Sequence, residues 1–248
     1  MRTPDDVAAD LARLGVAPGR AVMVHASLRR IGPVAGGAAG VVAALDKAVG
    51  PDGGLLMVMG SADGPEPFDP LTSPVDPDVG RLAEAFRTAR GTIVTDNPEG
   101  RFGARGGLAG ALLQDAPWDD YFGPGSPLAR LVALDGAVLR LGADPDTVTL
   151  MHYAEYLAPV PDKRRVVRER WVAAPGGPVR RTVACLDDSD GIVAWDGEDY
   201  FKLILDAYLA TGAGARGRVG DAASELLDAR DLVDFSVRWM ADNLVRAS

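Results

Sequence analysis

The sequence predicts an α/β sandwich in which helices cover a sheet that opens with parallel strands. Three observations carry this. Residues 3–59 alternate helix, strand, helix, strand, the pattern that builds parallel pairing. Hydrophobic residues make up 47% and charged residues 25%, a globular mixture with enough apolar material for a sizeable core. Gly 30 and Pro 18 in 248 residues supply the turns that many short elements require. No repeat, low-complexity tract or linker divides the chain, so a single domain over 1–248 is expected.

Each element has a local reason. Thr3-Pro4-Asp5-Asp6 starts a helix, with Thr as cap, Pro in the first turn and two acids at the positive end of the dipole. Val7, Leu11 and Leu14 follow at helical spacing and Gly15 stops it. Pro18-Gly19 turns the chain into a buried strand at Ala21–His25, and Ser27 to Gly37 reads as loop. Val41–Val49 is a helix and Leu55–Met59 a second buried strand. Residues 60–80 form a Pro- and Asp-rich loop, Arg81–Ala89 a helix and Thr92–Thr95 a strand. Asp96–Gly107 reads as a Gly-rich loop carrying Arg101 and Arg105. Helices are expected at Leu108–Leu113, Ser126–Leu134 and Thr147–Leu157, with a strand at Ala137–Leu141 between the last two. Val166–Ala174 and Val179–Leu186 read as a hairpin turned at Pro175-Gly176-Gly177. Tyr200–Ala210 and Asp231–Leu244 are helices.

Charge and composition exclude several classes. Lys+Arg 26 against Asp+Glu 35 gives a net charge of −9, which repels phosphates and attracts polycations, so no nucleic-acid partner is expected. The longest apolar runs, Val41–Leu45 and Leu55–Met59, fall far short of the ~20 residues of a membrane span. The acidic start lacks an apolar signal core, and the single cysteine, Cys185, cannot form an internal disulfide. A cytoplasmic protein with no membrane partner is expected.

Few residues can carry chemistry. Of the two histidines, His25 ends a buried strand where α/β sheets commonly bind ligands, and His152 shares a helical face with Glu155 and Tyr156. A carboxylate beside an imidazole fixes its tautomer and makes it a better base, although a hydrogen-bonded structural histidine has the same pattern. Asp187-Asp188-Ser189-Asp190-Gly191 can bind a cation or simply turn in solvent. The EF-hand pattern is not met, with Gly191 at position 5 of such a loop. The Gly-rich loop with Arg101 and Arg105 can wrap phosphates or be an ordinary loop. Lys163-Arg164-Arg165 with Arg168 and Arg170 reads best as a solvated strand edge and otherwise as an anionic-cofactor patch. Ser27 has no nucleophile elbow around it.

In order and spacing these residues resemble the aminoglycoside 3-N-acetyltransferase family over roughly residues 3–246. The carrying stretches are VMVHASLRRIGPVAGGAAGVVAAL, AVGPDGGLLMV, PFDPLTSPV, GSPLARLVALDGAVLRLGADPDTVTLMHYAEYLA, PDKRR and DDSDGI. The resemblance implies a layered α/β/α-like sandwich with a mixed sheet, unrelated to the GNAT fold. It implies acetyl-CoA as co-substrate, no metal, and direct transfer to the 3-amino group of a 2-deoxystreptamine aminoglycoside, a resistance activity. His152 matches the catalytic histidine. Asp188 would orient or charge-stabilise its ring, and Glu155 would do the same or hold a substrate ammonium. Ser27, Leu28, Gly32 and Gly36, with Arg101 and Ser126, are the cofactor contacts it implies. Asp69, Asp187 and Asp190 would face the polycationic acceptor. Two departures stand out: Asn97 and Arg101 replace a family His and Ser, and the loop between Met59 and Arg81 is short. They favour, as an alternative, another amino-sugar or natural-product amine as acceptor. A weakly catalytic aminoglycoside- or CoA-binding relative and a metal-dependent hydrolase are the readings outside this chemistry.

Overall fold

The computed structural model describes all residues except 63, 65, 145, 161–162, 188–199 and 245–248. Helix α1 (Pro4–Leu14) begins as its sequence dictates. Thr3 Oγ1 accepts from the Asp6 N–H at 3.1 Å and Asp6 Oδ2 accepts from the Thr3 N–H at 2.8 Å, a reciprocal capping box. Strand β1 (Ala21–Ala26), the single turn α2 (Leu28–Ile31), helix α3 (Gly37–Val49) and strand β2 (Gly54–Val58) follow. Helix α4 (Arg81–Thr88), strands β3 (Ile93–Val94) and β4 (Phe102–Gly106), helices α5 (Ala109–Leu113) and α6 (Pro127–Ala133) and strand β5 (Ala137–Leu141) lie in the middle of the chain. Helix α7 (Leu150–Leu157) precedes the hairpin β6 (Arg165–Val172) and β7 (Val179–Leu186). Helix α8 (Tyr200–Ala210), strands β8 (Ala215–Val219) and β9 (Ala222–Asp228) and helix α9 (Ala229–Asn243) complete it.

Among the described residues a seven-stranded sheet runs in the order β3-β4-β2-β1-β5-β9-β8. β2, β1 and β5 are parallel, and the outer strands pair antiparallel. The sheet is therefore mixed, as expected. Period-2 alternation divides its side chains between two cores. Ala21 and Met23 of β1 join the core under α6, α7, α8 and α9. Val22 and Val24 join the opposite core, beneath α1, α3 and α4. The result is three layers, α/β/α. Among the described residues no helix is long and apolar enough to cross a membrane.

Two parts differ from the sequence reading. The Asp96–Gly107 segment contains β4, which pairs along the whole of β2 from Gly54↔Gly106 to Val58↔Phe102. Its glycines serve close approach, since a Cβ on Gly103 would lie 1.9 Å from Met59 Cε, inside the core. The second difference is the β8–β9 hairpin, which adds two strands beyond β5. The predicted β6–β7 hairpin forms, but as a separate two-stranded sheet. It joins the body through the bridge between Phe68 and Val172, where the Phe68 N–H donates to the Trp171 carbonyl at 2.8 Å.

Candidate active site

Helix α7 places His152 and Glu155 one turn apart on a common face. Glu155 Oε2 lies 2.8 Å from His152 Nδ1. A carboxylate can only accept, so Nδ1 carries a proton, and in the neutral form of the ring the lone pair lies on Nε2. The other carboxylate oxygen, Oε1, accepts from Lys163 Nζ at 2.7 Å and from the Tyr200 hydroxyl. Glu155 and Lys163 side chains are 1% and 3% exposed, while the His152 side chain is 20% exposed. The pair is thus buried at its anchor and open at the ring. Two aromatics fix the ring plane: Phe122 stacks on it at 5.0 Å and 9°, and Phe201 meets it edge-on at 4.8 Å. An imidazole held at Nδ1 by a buried carboxylate, with Nε2 making no hydrogen bond among the described residues, has the geometry to take a proton from a substrate.

Among the other sequence candidates, His25 takes a different place. It lies near the end of β1 beside Arg140 of β5, is buried, and among the described residues its Nε2 has no hydrogen-bond partner. Burial, reinforced by the Arg140 charge, pushes it down to about 3, so it is neutral at physiological pH. Ser27 and Leu28 are half-buried where β1 leaves the sheet, and among the described residues the Ser27 hydroxyl makes no hydrogen bond. Gly32 is half-buried and Gly36 exposed; both have φ near +80°, in the loop that leads into α3. Asp69 caps its own turn, with Oδ1 accepting from the Leu71 and Thr72 N–H groups at 2.7 and 2.9 Å. Those bonds hold its carboxyl below the usual range. Between this loop and the hairpin lies a cavity of about 180 Å³, whose wall includes Glu66, Glu169 and Trp171. Asp188 and Asp190 lie outside the described residues.

Three expected roles are corrected. Arg101 is fully buried, not turned to a phosphate. Its guanidinium donates to the carbonyls of Pro70 (2.7 Å) and Pro74 (3.1 Å) and sits 5.1 Å from the Phe68 ring centroid. Burial, then the nearby Arg87, lowers it to about 10, so it stays charged and latches the short loop onto β4. Ser126 is also fully buried and caps α6, its Oγ accepting from the Ala129 N–H at 3.2 Å. Asp187 is 3% exposed and faces Arg164 at 2.9 Å and Arg168 at 3.4 Å. Two guanidiniums neutralise it, so it offers no site for an ammonium. Arg101→Ala removes two charge-assisted hydrogen bonds and the packing of the buried guanidinium beside Phe68. It is expected to cost about 2–4 kcal/mol in denaturant unfolding, with affinity for acetyl-CoA unchanged. Weakened coenzyme binding at unaltered stability would return Arg101 to the phosphates.

The basic run divides: the Arg164 and Arg165 side chains are solvated, as expected of an edge, whereas Lys163 turns inward and Arg168 and Arg170 are partly covered. Lys163 pairs with Glu155, Arg164 with Asp187, Arg165 with Asp120, and Arg168 and Arg170 both with Glu99. Asn97 is structural as well: its Nδ2 donates to the Trp118 carbonyl at 2.6 Å and its Oδ1 accepts from the N–H groups of Glu99 and Gly100. Sequence reasoning missed Lys163, Tyr200, Phe122 and Phe201 at the site. Among the described residues no group of three or more His, Cys, Asp or Glu side chains could hold a metal ion.

A three-layer α/β scaffold thus carries a buried carboxylate paired with a partly exposed imidazole. Comparison with known proteins makes this specific. The sequence model of the aminoglycoside 3-N-acetyltransferase family matches residues 23–241. Aminoglycoside N(3)-acetyltransferase VII of Streptomyces paromomycinus is 40% identical, over 97% of this chain and 92% of its own. Among solved structures, AAC-IIIb in binary complex with CoASH superposes with a TM-score of 0.93 at 39% identity, covering 99% of this chain and 98% of that one. Sisomicin-bound AAC-VIa gives 0.91 at 35%, covering 97% and 98%. The chain belongs to the aminoglycoside 3-N-acetyltransferase family and is an acyltransferase.

Proposed function

We propose that this protein transfers the acetyl group of acetyl-CoA directly to the 3-amino group of a 2-deoxystreptamine aminoglycoside, with His152 as general base, and so confers resistance. The observation that carries the reading is the His152–Glu155 pair, a ring fixed at Nδ1 and free at Nε2. An amine attacks a thioester carbonyl only through its lone pair. His152 Nε2 takes the amine proton as the N–C bond forms and the C–S bond breaks. The coenzyme leaves as its thiolate, and the imidazolium proton is then available to it. Glu155 stabilises the imidazolium that forms in this step.

The coenzyme is placed by Ser27, Leu28, Gly32 and Gly36. Two features support it: the unpaired Ser27 hydroxyl, and the start of α3, which has no acidic residue in its first turn and no side-chain cap. Likeness to the CoASH-bound and sisomicin-bound enzymes supports donor and acceptor. A cationic acceptor also suits a net charge of −9, and Asp69 remains a candidate contact for it. Asp188 and Asp190 keep the orienting and acceptor-facing roles that the resemblance implies. The test is a coenzyme-release assay with acetyl-CoA and a panel that includes sisomicin, the acyl position being located by NMR. Turnover with the acetyl group on N3 is expected. Turnover with acylation elsewhere would overturn the acceptor position, and binding of both ligands without release would make this a binding relative.

A further inference from the structure

We propose that Lys163 is a positioning residue for His152, acting through Glu155 to keep Nδ1 protonated and Nε2 bare at neutral pH. The inference rests on reading His152 as the base. Three titratable groups stand in line: imidazole, carboxylate and ammonium, joined by contacts of 2.8 and 2.7 Å. Lys163 is held in place from both sides. Its own N–H donates to the Val160 carbonyl at 3.1 Å, and the next two residues are fixed by Asp187 and Asp120. An ammonium 3% exposed is not a surface pair screened by solvent.

The consequence follows from electrostatics. A buried carboxylate facing only an imidazole draws a second proton onto that ring, and a base already protonated cannot accept one. Lys163 neutralises most of that pull while leaving Oε2 as the acceptor for Nδ1–H. Among the described residues no other ion pair is made with His152, Glu155 or Lys163. Phe122 and Phe201, on the ring itself, are uncharged. On α7 the remaining titratable groups are Tyr153 and Tyr156; burial holds the Tyr156 phenol neutral, and its oxygen accepts from the Leu186 N–H. From α8 comes Tyr200, also bound to Oε1, while Lys202 pairs with Asp206. Helices α6 and α9 pack on α7, and among the described residues neither makes a hydrogen bond or ion pair with His152, Glu155 or Lys163. On α9, Arg230 and Asp231 are directed to Asp135 and Tyr208.

The test compares Lys163→Met and Lys163→Gln, which remove the charge, with Lys163→Arg, which keeps it. Two quantities are read across pH: kcat/KM, and the imidazole Cε1–H resonance of His152. The chain has two histidines and His25 is held down to about 3, so His25 adds no titration of its own to the range measured. In the Met and Gln variants the NMR midpoint and the acid limb of kcat/KM should both rise by about one pH unit. kcat should fall by up to about tenfold on the acid side of the profile, and less near neutrality, with little change in KM, and Arg should restore most of it. An unmoved midpoint, even with a lowered Tm, would reduce Lys163 to a structural role and overturn the proposal. A moved midpoint with an acid limb that does not follow it would instead overturn His152 as the base and leave the Lys163 coupling standing.

Discussion

His152→Ala is expected to lower kcat by about a hundredfold or more, with acetyl-CoA affinity close to that of the parent chain. The side chain is 20% exposed, sandwiched by Phe122 and Phe201, and contributes its ring edge to no buried hydrogen bond other than that with Glu155. Its removal therefore costs mainly chemistry. Stability should fall by about 1–3 kcal/mol, from the lost ring packing and the freed carboxylate oxygen. Steady-state kinetics beside a denaturant unfolding curve separate the two effects. Near-normal turnover in the variant would remove His152 from the proton transfer.

Glu155→Gln is expected to damage activity and fold together. The amide keeps the shape but not the charge, so nothing specifies which ring nitrogen of His152 is protonated, and no anion stabilises the imidazolium. A fall in kcat of about a hundredfold is expected. The same change leaves the buried Lys163 ammonium without its counter-ion, for which a penalty of about 3–5 kcal/mol is typical. The two consequences separate in the double variant Glu155→Gln with Lys163→Met. Removing the stranded ammonium should recover much of the stability, while turnover stays low. A double variant no more stable than Glu155→Gln would show that the pair is not the buried unit described above.

Local chemistry made much of this fold legible. The capping box at Thr3, the stop at Gly15 and the paired apolar strands β1 and β2 are read from neighbours a few residues apart. Strand β4 was not, because Phe102-Gly-Ala-Arg-Gly looks like a flexible loop until Met59 is seen to fill the space a side chain would take. The β8–β9 hairpin failed for another reason. β8 is an edge strand with four of its five residues exposed, so its sequence, ARGRV, has no buried apolar stripe. β9 reads AASELLD, rich in helix formers, and its strand alternation is imposed by pairing with β5. At the site, His152 and Glu155 were legible because three residues of helix bring them together. Lys163 and Tyr200 reach the same carboxylate from 8 and 45 residues away, and only the folded chain shows which member of the basic run turns inward. Arg101 misled for the converse reason. Beside glycines an arginine looks like an anion ligand, but here it binds two carbonyls of its own chain.

The position of Cys185 has a practical consequence. Its thiol, the single one in the sequence, is 1% exposed on β7, 3.5 Å from the Tyr121 hydroxyl and 3.8 Å from an Arg168 nitrogen. A disulfide reagent added to the folded protein is therefore expected to meet only the coenzyme thiol that the proposed transfer would set free. The protein's own sulfur becomes visible when the hairpin lifts off the body. The slow rise of that one extra equivalent clocks local opening, so a single colorimetric trace separates turnover from the breathing of the fold.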